Sequence, residues 1–138
     1  MKPGSDALGQ ITVGNSDSRI TGIGKVLRKF KLDEIPQLIN VIKGEMSIVG
    51  PRPEVPKYVN LYSDEQLKVL TVRPGLTDLA SIEYINENEI LGKSDSPEKE
   101  YIEVILPKKL GLNLEYINNQ SFLGDLKLIF RTFGKILK

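Results

Sequence analysis

Asp33 and Glu34 stand side by side in Leu32-Asp33-Glu34-Ile35-Pro36-Gln37, at the front of an apolar repeat made by Leu32, Ile35, Leu38, Ile39 and Ile42. Pro36 is tolerated only in the first turn of a helix, where its missing N–H would have no partner anyway, and Gly44 suits the left-handed residue that ends one. The spacing therefore predicts a helix closing at Gly44 with both carboxylates at its N-terminus, where free N–H groups and the helix dipole favour negative charge. A second candidate is Arg52, fenced by prolines in Gly50-Pro51-Arg52-Pro53-Glu54. Flanking prolines leave it few conformations, which suits an anion contact that should not reorganise. Plainer explanations stay open for both: Asp33 as a helix cap, and Arg52 as a solvated residue in a turn.

Composition narrows the chemistry these residues could do. The 138-residue chain has no Cys, His or Trp. Thiol nucleophiles, thiolate metal sites and Ser-His or Cys-His catalysis are thereby excluded. Carboxylates, Lys/Arg, hydroxyls and hard cations such as Mg²⁺ remain. The length suits one domain, since a single core is commonly built from roughly 100–150 residues.

A net charge of +1 hides separated patches. Arg19, Lys25, Arg28, Lys29 and Lys31 form a run without an acid, whereas Glu83 to Glu103 holds seven acids against Lys93 and Lys99. That balance argues against a nucleic-acid partner and allows a local anion site, although a solvated face would explain the basic run equally simply. No stretch has the ~18 apolar residues of a spanning helix, and no apolar signal-peptide core opens the chain.

The elements that must position these residues follow from spacing. Residues 1–18 read as a loosely held lead-in, with Gln10–Val13 able to form a strand. Ile20, Ile23, Val26, Leu27 and Phe30 lie at helical spacing, with Thr21 or Asp17 as a cap. Three prolines and a glycine make 47–56 rigid and non-helical. Ser63-Asp64-Glu65-Gln66 has capping-box form and opens a helix to about Val72, which Arg73-Pro74-Gly75 stops. Thr77–Ile85 reads as extended, followed by an acidic loop. Ser96-Pro97 starts another helix, Pro107 breaks it, and a shorter helix runs to about Asn118. Over 121–138, Phe122, Leu123, Leu126, Ile129, Phe130, Phe133, Ile136 and Leu137 cluster opposite Lys127, Arg131, Lys135 and Lys138. Such a helix either lies on anionic lipid or docks on the core. The expected architecture is helix-rich α+β: one compact domain with few short strands and amphipathic membrane-surface helices.

The order of these pieces is more specific than any one of them. A basic helix, Leu-Asp-Glu-Ile-Pro-Gln, Gly-Glu-Met-Ser-Ile-Val-Gly-Pro-Arg-Pro-Glu and Arg-Pro-Gly-Leu-Thr follow one another from about Asp17 onward. This succession resembles the bacterial sugar transferase family, the small monotopic polyprenyl-phosphate phosphoglycosyl transferases that begin exopolysaccharide, lipopolysaccharide O-antigen and glycoprotein glycan assembly. The likeness runs from about Asp17 to the C-terminus, and residues 19–138 are expected to form a single catalytic domain that includes the amphipathic helix over 121–138.

The resemblance implies a function and a set of roles. A UDP-sugar and polyprenyl (undecaprenyl) phosphate would give polyprenyl-diphosphate-sugar and UMP, with Mg²⁺, through a phosphosugar carried covalently on an aspartate. On this chain that aspartate is Asp33, with Glu34 as its partner, and Arg52 sits in the family's Gly-Pro-Arg-Pro segment. Beside the resemblance, Asp33 or Glu34 could supply the carboxylate that Mg²⁺ takes from protein, and the basic residues add Arg28, then Arg19 and Arg73, to Arg52 as candidates for binding substrate. The implied setting is the cytoplasmic face of the bacterial inner membrane, reached through the C-terminal helix. Family members also carry an apolar re-entrant helix and a basic, aromatic segment ahead of the point where this chain begins, so a truncated front is expected. Lacking it, the chain alone could be soluble, its apolar face could drive homo-oligomerisation, and the alternative is a non-catalytic membrane-surface module of the same fold.

Overall fold

The computed structural model describes residues 20–29 and 32–136. The lead-in over 1–18, with its possible strand, lies outside them. Helix α1 (Gly22–Lys29) starts as expected, with Thr21 Oγ1 accepting from the Gly24 N–H at 3.1 Å. A single 3-10 turn, Leu32–Glu34, precedes α2 (Gln37–Ile42). Gly44, at φ 77°, closes α2 as the spacing predicts. The Gly44 and Glu45 N–H groups donate to the Val41 and Asn40 carbonyls, the paired bonds of a Schellman ending.

Strand β1 (Ser47–Val49) follows and pairs in parallel with β2 (Gly75–Thr77), Ser47 opposite Gly75 and Val49 opposite Thr77. Between them lie α3 (Pro56–Val59) and a 3-10 helix, Gln66–Thr71. The capping box is present, with Ser63 N–H donating to Gln66 Oε1 and Gln66 N–H to Ser63 Oγ. The turns beyond it are 3-10 rather than α.

Three expectations are corrected. Thr77–Ile85 is extended only at Thr77 and Asp78, because the Asp78 side chain caps α4 (Leu79–Glu83) by accepting the Ser81 N–H at 2.5 Å. The acidic stretch contains α5 (Glu87–Gly92), which buries Leu91 completely. Pro107 does not break the chain's helical course. Helix α6 (Pro97–Glu100) widens into a π-helical turn over Tyr101–Ile105 and continues as α7 (Leu106–Asn118), whose first turn holds Pro107. A π turn beside the ring accommodates the absent N–H and the steric clash that would kink a regular helix.

Helix α8 (Phe122–Ile136) completes a helix-rich α+β domain with one small sheet. The core has two parts. Tyr58, Val69, Leu91, Tyr101, Ile105 and Leu110 fill one, and Val49, Ile82, Tyr116 and Leu128 fill the other, with Ile117 packed against both. Helix α8 docks on the second part through Leu128 and Ile129, and Thr132 Oγ1 lies 2.8 Å from Thr77 Oγ1. The rest of its apolar surface stays bare: Phe122 is 81% exposed and Phe130 67%. Of the two sequence-level alternatives for this helix, docking on the core is present along one stripe, and another stripe is uncovered. No helix among the described residues is long and apolar enough to cross a membrane.

The buried tyrosines set an alkaline limit on stability. Burial pushes the Tyr62 hydroxyl up to about 12, and burial followed by Glu54 raises Tyr101 above the ordinary 10.0. The folded chain therefore keeps protons that the unfolded chain releases above pH 10. Stability is full below that pH and falls as pH rises through it, with Tyr101 alone contributing a slope of about 1.4 kcal/mol per pH unit. Urea midpoints measured from pH 8 to 11 should be flat to about 10 and then decline. A midpoint unchanged at pH 11 would contradict this.

Candidate active site

The 3-10 turn places Asp33 and Glu34 between α1 and α2, and the two carboxylates meet different arginines. Arg28, from the last turn of α1, brings Nε to 3.8 Å from Asp33 Oδ2. Arg52 brings Nη1 to 3.0 Å from Glu34 Oε1. The two acids differ in access: the Asp33 side chain is 40% exposed, the Glu34 side chain 18%.

One sequence expectation is corrected here. The acidic pair does not sit on the N-terminus of α2, because the residue before a proline is pushed out of the α region and Pro36 itself becomes the cap residue. The Leu38 and Ile39 N–H groups donate to the Ile35 and Pro36 carbonyls, so they are not available to a phosphate. Positive charge at this site comes from arginine side chains instead.

Arg52 owes its position to the backbone around it. Gly50 N–H donates to Thr77 O at 3.0 Å, and Gly75 N–H to Pro51 O at 3.1 Å. Gly50 and Gly75 lie so close that a Cβ on Gly75 would fall 2.6 Å from Gly50 Cα and nearer still to Gly50 N and O. Arg52 N–H donates to Asp78 Oδ2 at 3.0 Å, while the other Asp78 oxygen caps α4. Asp78 is 1% exposed. Sequence reasoning passed over this residue. Asp78-Leu79-Ala80-Ser81 carries a capping signal, but nothing local announces the bond to a residue 26 positions earlier.

The structure thus joins Arg28, Asp33, Glu34 and Arg52. Arg73 is exposed and makes no ion pair among the described residues; its backbone carbonyl packs against Gly50. Arg19 lies outside the described residues. No group of three or more acids among them could form an all-protein cation cage. Asp33 and Glu34 nonetheless offer the one or two hard oxygen donors that Mg²⁺ ordinarily takes from protein when phosphates and water complete its shell. A separate hollow of about 510 Å³, lined by Glu83, Asn86, Glu89, Lys93, Ser94, Glu100 and Ile90, holds three acids against one lysine, which disfavours a diphosphate.

This geometry can be set beside known proteins. The sequence pattern of the family described as bacterial sugar transferase matches residues 1–138. The chain is 39% identical over 121 residues to the exopolysaccharide production protein ExoY of Rhizobium meliloti, covering 88% of this chain and 46% of that protein. It is 34% identical over 124 residues to a UDP-glucose:undecaprenyl-phosphate glucose-1-phosphate transferase of Caulobacter vibrioides, covering 88% and 42%. It is 33% identical over 123 residues to an undecaprenyl-phosphate galactose phosphotransferase of Salmonella typhimurium, covering 89% and 22%. The chain therefore spans about half the length, or less, of the curated relatives it matches. With its acidic pair, proline-fenced arginine and helix-rich fold, the chain belongs to the bacterial sugar transferase family.

Proposed function

We propose that this domain transfers a sugar-1-phosphate from a UDP-sugar to a polyprenyl phosphate, with Asp33 as nucleophile. The observation that carries this is the pair Asp33–Glu34 held between Arg28 and Arg52, with Asp33 the more accessible acid. An Asp33 oxygen attacks the phosphorus that bears the sugar. The bond from that phosphorus to the bridging oxygen breaks, and UMP leaves with the oxygen. A phosphate oxygen of the lipid acceptor then attacks the same phosphorus, the acyl-phosphate bond breaks, and the Asp33 carboxylate is restored. Neither step needs a histidine.

Repulsion between anions is the main obstacle in such a displacement, so the site must hold phosphoryl oxygens in place. A guanidinium has five N–H donors, and the bond from Arg52 to Glu34 leaves others for a phosphate. Glu34, less exposed and bonded to Arg52, orients that arginine. Mg²⁺, held by Asp33 or Glu34 with substrate phosphates, would supply further charge neutralisation. Arg28 is placed to meet the same anion. Replacing Arg52 by Ala should lower UMP release in the presence of donor and polyprenyl phosphate by about 10²–10³-fold, and Lys should restore little of it. Release within twofold of wild type in Arg52→Ala would remove Arg52 from the site.

A lipid acceptor calls for a lipid surface. Ile23 on α1 is 77% exposed and Ile42 on α2 86%, and these helices flank Asp33. Helix α8 adds Phe122, Leu123, Phe130 and Phe133 beside Lys127, Arg131 and Lys135, the composition of a helix that lies on anionic headgroups. A UDP-sugar donor would be met on the cytoplasmic side, which is the side proposed for the reaction. Without a membrane these bare faces would pair chain with chain. The second reading, a membrane-surface module without turnover, would be favoured by vesicle binding in a chain that releases no UMP from any donor.

A further inference from the structure

Glu54 ends the Pro51-Arg52-Pro53 segment, and its carboxylate is tied down by residues 47 and 55 positions away. Tyr101 donates its hydroxyl to Glu54 Oε1 at 2.6 Å, and Lys109 Nζ lies 3.3 Å from the same oxygen. Lys109 also reaches Glu87 Oε2 at 3.0 Å, and its ammonium sits 5.3 Å from the centre of the Tyr101 ring. The Lys109 side chain is 15% exposed and the Glu54 side chain 19%. Burial works against the Lys109 charge, but Glu87 and then Glu54 outweigh it and hold the ammonium above the ordinary lysine value.

Desolvated ion clusters of this kind are seldom the most stabilising way to fill a site, since apolar residues of similar volume do as well or better. What this cluster does provide is direction. The Pro51–Glu54 segment is anchored at its front by Gly75 N–H on Pro51 O and by Asp78 on Arg52 N–H. Its far end is anchored by Tyr101 and Lys109 on Glu54. Arg52 lies between the two anchors.

We infer that Lys109 is a positioning residue. By holding Glu54 it fixes the Pro51–Pro53 segment, so that the Arg52 guanidinium stays on Glu34 and within reach of a phosphate at Asp33. This role rests on the assignment of Asp33 and Arg52 made above. It also accounts for both acids around one lysine: Glu54 belongs to the arginine segment, and Glu87 completes the charge balance from α5.

Two conservative variants separate positioning from general support. Glu54→Gln leaves Lys109 paired with Glu87, and Glu87→Gln leaves it paired with Glu54, so each removes one charge from the same cluster. Amide hydrogen exchange at Arg52 and Gly75 should be at least roughly tenfold faster in Glu54→Gln than in wild type, with Leu110 and Asn113 in α7 unchanged. Glu87→Gln should leave Arg52 at its wild-type rate. Lys109→Met, which leaves Glu54 only the Tyr101 hydroxyl, should speed the same two amides, and unchanged rates there would remove Lys109 from this role. In turnover, Glu54→Gln should lower kcat about tenfold with KM for the donor little changed, and Glu87→Gln should alter neither. No change at Arg52 in Glu54→Gln, equal acceleration there in both variants, or uniform acceleration across α7 would overturn the positioning role. If wild type itself transfers no sugar-phosphate, the functional assignment fails, and the exchange pattern still decides whether Lys109 fixes the segment.

Discussion

Asp33→Asn should abolish transfer, lowering the rate by at least about 10⁴-fold, while leaving the fold intact. An amide oxygen cannot form the acyl phosphate, and no other carboxylate at the site is as accessible. The Asp33–Arg28 contact is long and solvent-exposed, so its loss should change stability by no more than about 0.5 kcal/mol. Circular dichroism and a urea midpoint close to wild type, beside undetectable UMP release, are the expected pair of results. Residual transfer above a hundredth of wild type would show that another group attacks the phosphorus.

Gly75→Ala should have the opposite character, weakening the fold itself before any chemistry is asked of it. The added methyl would meet the backbone of Gly50, not a flexible side chain that could swing away. Relief requires β1 and β2 to part, and with them the bonds from Ser47 N–H to Pro74 O and from Gly50 N–H to Thr77 O. A cost above about 4 kcal/mol is expected, a large share of the roughly 5–15 kcal/mol by which a single domain is stable. Gly111→Ala is the control. That glycine lies within α7 with open space around it, and alanine there should stabilise by roughly 0.5–1 kcal/mol. A Gly75→Ala protein with a wild-type urea midpoint would contradict the close packing of the two strands.

What could be read from sequence was what local chemistry decides. Gly44 at the left-handed position, the reciprocal bonds of Ser63 and Gln66, and Thr21 on Gly24 each depend on residues within four positions of one another. The acidic pair and the fenced arginine were visible as types in a pattern. Their pairing across 18 positions was not, because it depends on where β2 carries the Gly50–Pro53 backbone. The parallel strands themselves are three residues each and are specified by the Gly50–Gly75 approach, which no periodicity reveals. Helix α5 was hidden because a run rich in acids reads as solvated loop. Its formation depends on Leu91 entering the core and Glu87 meeting Lys109, both contacts from distant chain. Pro107 misled for a similar reason, since the π turn that admits it is held by Tyr101 and Ile105 in the core. The helix-terminus setting expected for Asp33 failed on one residue, Pro36, which took the cap position itself.

The most direct test of the proposed chemistry is the intact mass of the chain after incubation with Mg²⁺ and a panel of UDP-hexoses and UDP-N-acetylhexosamines, without lipid acceptor, beside Asp33→Asn. Asp33 as nucleophile predicts a gain of one phosphosugar in wild type with at least one donor, lost when polyprenyl phosphate is added and absent throughout in Asp33→Asn. The same adduct on Asp33→Asn, or UMP release by wild type with no adduct at any time, would contradict a covalent route through Asp33.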